Sequence, residues 1–174
     1  MNFAFIGTRN PTLEQKSWIE EVLGKMAYDH PDATLHTDAA PGTDQRAAGI
    51  WATFKGNVML HLPWGTYEED WVRLMERGKV SMTVCPQPKT SNDTLAKMHH
   101  NQWSVLSQGS QKMHLRNVEL VKACENNLGY LFATPGTAQW GGGTAMGIKI
   151  ARHLGFNKVE VFDPMGRDWS TCGC

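Results

Sequence analysis

Three short segments combine residue types that hold anions with a main chain free enough to come close to one. Gly7-Thr8-Arg9-Asn10 follows an apolar run directly. Its small residues let the backbone approach a ligand, and Arg9 can grip a phosphate or carboxylate in two-pronged fashion. The alternative use of Arg9 is an ion pair with a structural carboxylate. Gly42-Thr43-Asp44 closes a loop and opens a helix, so Thr43 or Asp44 serves either as an N-terminal cap or as a ligand contact. In Trp140-Gly141-Gly142-Gly143-Thr144, each glycine gives up about 1 kcal/mol of backbone entropy relative to alanine. The usual return is a nest of N–H groups at a helix N-terminus, suited to phosphate, and the plainer alternative is a mobile loop without a ligand. No Gly-x-Gly-x-x-Gly follows the first apolar run, and no Gly-Lys-Ser/Thr follows the glycines, so no dinucleotide or P-loop cofactor is expected.

Cleavage of an N-glycosidic bond needs a carboxylate that stabilises a cationic sugar or activates water. Asp44, Glu68, Asp93 and Glu119 are the candidates, and Asp44 is the best placed for a catalytic role, with Asp38 on the same rim one short loop earlier. Arg116 and Asn117 suit a phosphate or ribose, or else a cap or a helical pairing with Glu119 or Glu125. Trp64, Tyr67 and Trp140 suit stacking on a base or packing at the edge of the core. No metal site is expected. Neighbouring His99 and His100 diverge by about 100° on a helix, which reads as a solvated or lid-facing surface. Cys172-Gly173-Cys174 lacks the second pair of ligands that marks a zinc site. Cys85 has no positioned histidine to make it a nucleophile.

These residues sit on loops between regularly alternating elements. Apolar runs at 2–6, 33–37, 58–62, 79–85, 129–133 and 159–162 predict strands. Helical patterns fall at about 12–29, through Ala47 to Phe54, over 67–77, from 94 to Leu106, after a break at Gly109-Ser110 from 111 to Asn126, and over 144–153. Trp18, Ile19, Val22, Leu23 and Met26 form the apolar stripe of the first, and Tyr67, Trp71, Leu74 and Met75 that of the third. Alternation of this kind predicts an α/β, Rossmann-like doubly wound domain with a mainly parallel sheet flanked by helices, over residues 1–162, followed by a polar tail at 163–174. Such sheets bind ligands outside the carboxyl ends of their strands, which is where all three segments fall. The stretch 86–114 is longer than a simple crossover needs and suggests a lid or partner contact.

The chain has 174 residues, enough for one domain with a core of its own. Its 17 Lys and Arg balance 17 Asp and Glu, which argues against a basic nucleic-acid scaffold, and a nucleic-acid partner is not expected. No basic and apolar leader or membrane-length apolar run is visible, and four scattered cysteines fit a reduced, cytoplasmic compartment. Seven Trp and nine Met, with an apolar stripe at Leu115, Val118 and Val121, predict self-association as a homodimer or higher homo-oligomer.

Taken together, Gly7-Thr8-Arg9, the run Asp38 to Ala48 with its Pro41-Gly42-Thr43-Asp44 turn, Arg116-Asn117 and Gly142-Gly143-Thr144 resemble the SLOG superfamily. That superfamily groups DNA-processing (Smf-type) proteins, LOG phosphoribohydrolases and small stand-alone proteins of bacteria and phages, and the last are the most similar in pattern. The resemblance covers about residues 2–162 and implies binding of a nucleotide or nucleotide-derived ligand by Gly7, Thr8, Arg9, Gly42, Thr43, Asp44, Arg116, Asn117, Gly141, Gly142, Gly143 and Thr144. Two departures matter. The LOG motif places a catalytic glutamate where this chain has Gly147, and the loop from Pro135 to Trp140 is longer than that motif allows. The expected function is therefore binding, sensing or sequestering a nucleotide-like small molecule, with hydrolysis or transfer at the N-glycosidic bond of a nucleoside monophosphate as the alternative.

Overall fold

The computed structural model describes residues 1–78, 80–85, 93–100, 102–125, 129–137 and 142–170. Along the chain run β1 (Asn2–Gly7), α1 (Leu13–Asp29), β2 (Thr34–Thr37), α2 (Thr43–Thr53), β3 (Asn57–His61), α3 (Glu69–Arg77) and β4 (Met82–Cys85). They are followed by α4 (Asp93–His99), a 3-10 turn (Trp103–Val105), α5 (Gln108–Glu125), β5 (Tyr130–Thr134), α6 (Gly143–His153) and β6 (Lys158–Val161). The sheet order is β4-β3-β2-β1-β5-β6, and every pairing is parallel. This is the doubly wound α/β architecture that the alternation of elements predicts.

Burial on both faces explains why β1 reads as an unbroken apolar run: Phe3, Ala4, Phe5 and Ile6 are all inside. Phe3 and Phe5 point into one core with Leu35, Leu60 and Phe132, closed by Ile19 and Leu23 of α1 and by Trp51 of α2. The smaller Ala4 and Ala133 face the other way with Ile6 and Leu131, under Val118 and Val121 of α5 and Ile148 of α6. The stripe Leu115, Val118 and Val121, which the sequence offers to a partner subunit, is thus buried in the chain's own core.

Strand order also accounts for the long stretch 86–114. The chain must return from the edge strand β4 to the middle of the sheet, and α5 makes that passage by lying across β1, β2 and β3. The break expected at Gly109-Ser110 comes earlier. Ser107 caps α5, its hydroxyl oxygen accepting from the Ser110 N–H at 3.2 Å, so both residues lie in the first helical turn. Around α3 the expected stripe is only partly used: Tyr67 is buried and Trp71 and Met75 pack against the first core, but Leu74 is 63% exposed, and Val72, outside the stripe, is buried. His99 and His100 are not simply solvated either. Their rings stand 5.1 Å from His153 and 4.5 Å from His114.

Residues 163–170 do not trail as a polar tail. Asp163 accepts from the Trp169 indole at 2.7 Å and pairs with Arg167, and Trp169 is buried in the second core. Cys172 and Cys174 lie outside the described residues. Among the described residues no helix is long and apolar enough to cross a membrane.

Candidate functional site

Strand order reverses between β1 and β5, leaving a crevice beyond their carboxyl ends. A cavity of about 190 Å³ opens there, lined by Ile6, Gly7, Arg9, Asp38, Ala40, Asp44, Met113, Arg116, Asn117, Gly143 and Thr144. Seven residues singled out as the candidate site (Gly7, Arg9, Asp44, Arg116, Asn117, Gly143 and Thr144) therefore meet around one space, although they come from four separate parts of the chain.

The remaining candidates shape the walls. Gly7 has no room for a side chain: a Cβ would fall 2.1 Å from Thr134 Oγ1 and 2.5 Å from Thr43. Those two threonine hydroxyls bond each other at 2.8 Å, and the Thr43 N–H donates to the Thr8 carbonyl at 3.1 Å, so β1, β5 and the start of α2 are knit at one point. Gly42 (φ 96°) lies against the Arg9 main chain, where a Cβ would come within 2.3 Å of the carbonyl oxygen. Gly142 precedes α6 at φ 92°, ψ 180°, a backbone region open essentially to glycine alone. The N-cap, Gly142, has no side chain to offer, so among the described residues no side-chain cap bonds the first N–H groups of α6 beside the cavity. Gly141 and Trp140 lie outside the described residues.

Polar groups inside the cavity are buried and interlocked. Arg116 and Asp38, at 4% and 3% exposure, form an ion pair, so Arg116 reaches from α5 across to the end of β2. Arg116 Nε donates to Asn117 Oδ1 at 2.9 Å, which orients the amide. Its nitrogen then lies where a Gly143 side chain would stand, 2.5 Å from a Cβ built there. Arg116 Nη1 is the nitrogen that meets Asp38 Oδ2 in the ion pair, so the guanidinium is committed to the carboxylate at the cavity wall. Asp38 also accepts from the Ala40 N–H.

Asp44 is 2% exposed, and its Oδ1 lies 3.3 Å from Thr37 Oγ1. Burial, reinforced by the negative charge of Asp38, pushes its carboxyl well above the ordinary carboxylate range; Arg116 and Thr37 oppose this only in part. Burial pushes Asp38 up as well, against the pull of Arg116 and the Ala40 N–H. At the mouth, Arg9 is exposed and donates to the Tyr67 hydroxyl at 3.1 Å, while Trp64 meets the Tyr67 ring edge-on at 5.2 Å. Tyr67 is buried, so the packing alternative describes its ring.

Sequence reasoning did not single out Thr37, Ala40 or Met113. Only the polar end of β2, Thr37-Asp38, carries a usable signal, two hydrophilic residues closing a buried strand. Glu68, Asp93 and Glu119 do not line the cavity, and Asp93 instead faces Lys97 at 3.8 Å on the surface of α4. At Gly147, where the LOG pattern has glutamate, a Cβ would meet Ile6 Cδ1 at 2.4 Å, so this position packs α6 onto β1.

No family model and no curated protein matches the chain. Among solved structures, the X-ray structure of DNA processing protein A (DprA) from Streptococcus pneumoniae is similar, with a TM-score of 0.59 and 15% identity. The match covers 93% of this chain and 49% of that one, so the chain spans about half the length of the protein it matches. This likeness is one of fold, and it agrees with the SLOG resemblance in the sequence. It also overturns the argument that a neutral chain excludes nucleic acid as a partner, because the fold recurs in a DNA-processing protein. Net charge is a sum over the whole surface and leaves the local distribution around a crevice free.

Proposed function

We propose that the cavity at the β1–β5 crevice binds a nucleotide or nucleotide-derived ligand, which the chain senses or sequesters. One observation carries the reading: four chain segments bring two arginines, two buried carboxyls, an oriented amide and a helix N-terminus to one space at the switch point of a parallel sheet. Its 190 Å³ lies below the ~300–1,000 Å³ usual for a whole small-molecule ligand, which suits a phosphosugar with the base left at the mouth. In this reading Gly142, Gly143 and Thr144 present N–H groups to the phosphate. Arg9 closes over it, and Asp38, Asn117 and Arg116 face the sugar. The likeness to a DNA-processing protein extends the ligand class to the end of a single nucleic-acid strand.

Titration calorimetry with nucleoside 5′-monophosphates and a short single-stranded oligonucleotide tests this directly. Gly142→Val forces the turn before α6 out of its glycine-only conformation, at a cost of about 1–3 kcal/mol, in a place where a Cβ touches nothing. The variant is expected to melt cooperatively and to lose at least about tenfold in affinity, roughly 1.4 kcal/mol. Unchanged binding by a folded variant would remove the α6 turn from the site.

A second reading, hydrolysis at an N-glycosidic bond, is favoured by one specific feature. Two carboxyls share the cavity with unequal environments, Asp38 paired and Asp44 not, which is how acid and base roles are separated. Chromatographic assay for released base decides it, and equal release by wild type and Asp44→Asn would take Asp44 out of the chemistry.

A further inference from the structure

We propose that Asp44 enters this site as the neutral carboxylic acid, and that the cavity therefore admits its ligand by an anionic oxygen. The identity of the ligand rests on the reading above; the protonation state rests on the groups that surround Asp44. Asp38 and Asp44 are both buried around the same cavity, and Arg116 is engaged in an ion pair with Asp38. Among the described residues, no ion pair is formed by Asp44. A second buried anion there would be held by its own N–H in the first turn of α2 and by an arginine already paired with Asp38, and proteins relieve a poorly compensated buried anion by taking up a proton.

Thr37 supplies an independent observation. Its Oγ1 lies 2.8 Å from the Phe5 carbonyl oxygen and 3.3 Å from Asp44 Oδ1. A threonine hydroxyl has one proton to give, and a carbonyl only accepts. The Phe5 carbonyl, at the shorter distance, competes with Asp44 for that proton, so Thr37 offers an ionised Asp44 a shared bond at most, whereas a protonated carboxyl would donate to Thr37 in turn. The charged groups that share the cavity with Asp44 are Asp38 from the end of β2, Arg9 from the loop after β1 and Arg116 from α5. Gly143 and Thr144 of α6 bring no charge, and burial acts on Asp44 in the same direction as Asp38 does.

The consequence is a charge balance suited to anions. Arg116 and Asp38 cancel, Asp44 is neutral, and Arg9 with the α6 N-terminus remains to attract a phosphate. Ionising Asp44 sets a like charge against the ligand, and anion affinity falls.

Two measurements on the full chain test this. The first needs no ligand: the infrared difference between wild type and Asp44→Asn at neutral pH. The expected result is a protonated-carboxyl carbonyl band that the variant lacks. Carboxylate bands alone would overturn the protonation state, and carbon-13 titration of the wild-type aspartate carboxyls gives the same answer if the variant does not fold. In the second, AMP and inorganic phosphate are titrated into both proteins from neutral to alkaline pH. Ionisation of the probe is common to both proteins and cancels in the affinity ratio. Wild-type affinity is expected to fall relative to Asp44→Asn, approaching about tenfold per pH unit above the Asp44 titration. A flat ratio overturns the link between Asp44 and the anion. Failure of both probes to bind either protein overturns the ligand reading and the anion half with it, while the infrared result still decides the state of Asp44.

Discussion

Asp38 and Asp44 show how far a residue's role depends on what surrounds it. Both are aspartates at the carboxyl rim of the sheet, and the sequence ranks Asp44 first because it opens a helix. The structure gives Asp38 the arginine. Pairing of this kind is invisible in the chain, because Arg116 reaches β2 only through the long crossover of α5. The pair also predicts an asymmetric mutational response. Asp38→Ala leaves the Arg116 guanidinium buried without its partner, and breaking a buried pair in this way costs about 3–5 kcal/mol. Asp38→Asn keeps a hydrogen-bond acceptor and is expected to cost less. Urea denaturation of the two variants measures the difference. A loss below about 1 kcal/mol for Asp38→Ala would mean that the pair behaves like one on the surface.

Elements were far more legible than partners. Strands buried on both faces write apolar runs, and helices packed on one face write stripes, so β1 to β6 and most helices fall within a few residues of their expected places. Misreadings cluster where a weak local preference met a stronger one. Gly109 signals a helix break worth about 1 kcal/mol, but the Ser107 cap and the buried face of α5 outweigh it. Glycine reads differently at the crossing of β1, β5 and α2, where space rather than flexibility sets the residue. Gly7→Ala drives a methyl group into Thr134 and Thr43 and is expected to destabilise by about 1–3 kcal/mol, the usual cost of overpacking. Gly24→Ala in α1 meets nothing within 4 Å, and there the same change should be neutral or stabilising by up to about 1 kcal/mol. Thermal melts of both variants check the pair, and a neutral Gly7→Ala would show that the junction yields.

At the scale of the whole molecule, formal neutrality hides an uneven distribution of protons. His36 and His61 form a buried pair, Nδ1 to Nε2 at 2.9 Å, and burial lowers them to about 4 and about 3. His114, buried against His100 with no hydrogen bond to its Nδ1 among the described residues, is lowered to about 4 by burial first, then by His100 and Arg116. A histidine depressed in the folded state takes up its proton more readily when unfolded, near pH 6.5. The stability that each contributes is therefore complete above that pH and is lost as the pH falls towards the folded value. Asp44 works in the opposite sense, since a raised carboxyl contributes stability below its unfolded value and loses it as the pH rises through the folded one. Three histidines against the carboxyl pair should leave a protein that weakens on acidification between pH 6.5 and 4. The histidine share is isolated by His114→Gln, which should flatten that slope by up to about 1.4 kcal/mol per pH unit. Parallel slopes for wild type and variant across this window, followed by urea denaturation, would show that His114 titrates alike in the folded and unfolded chain.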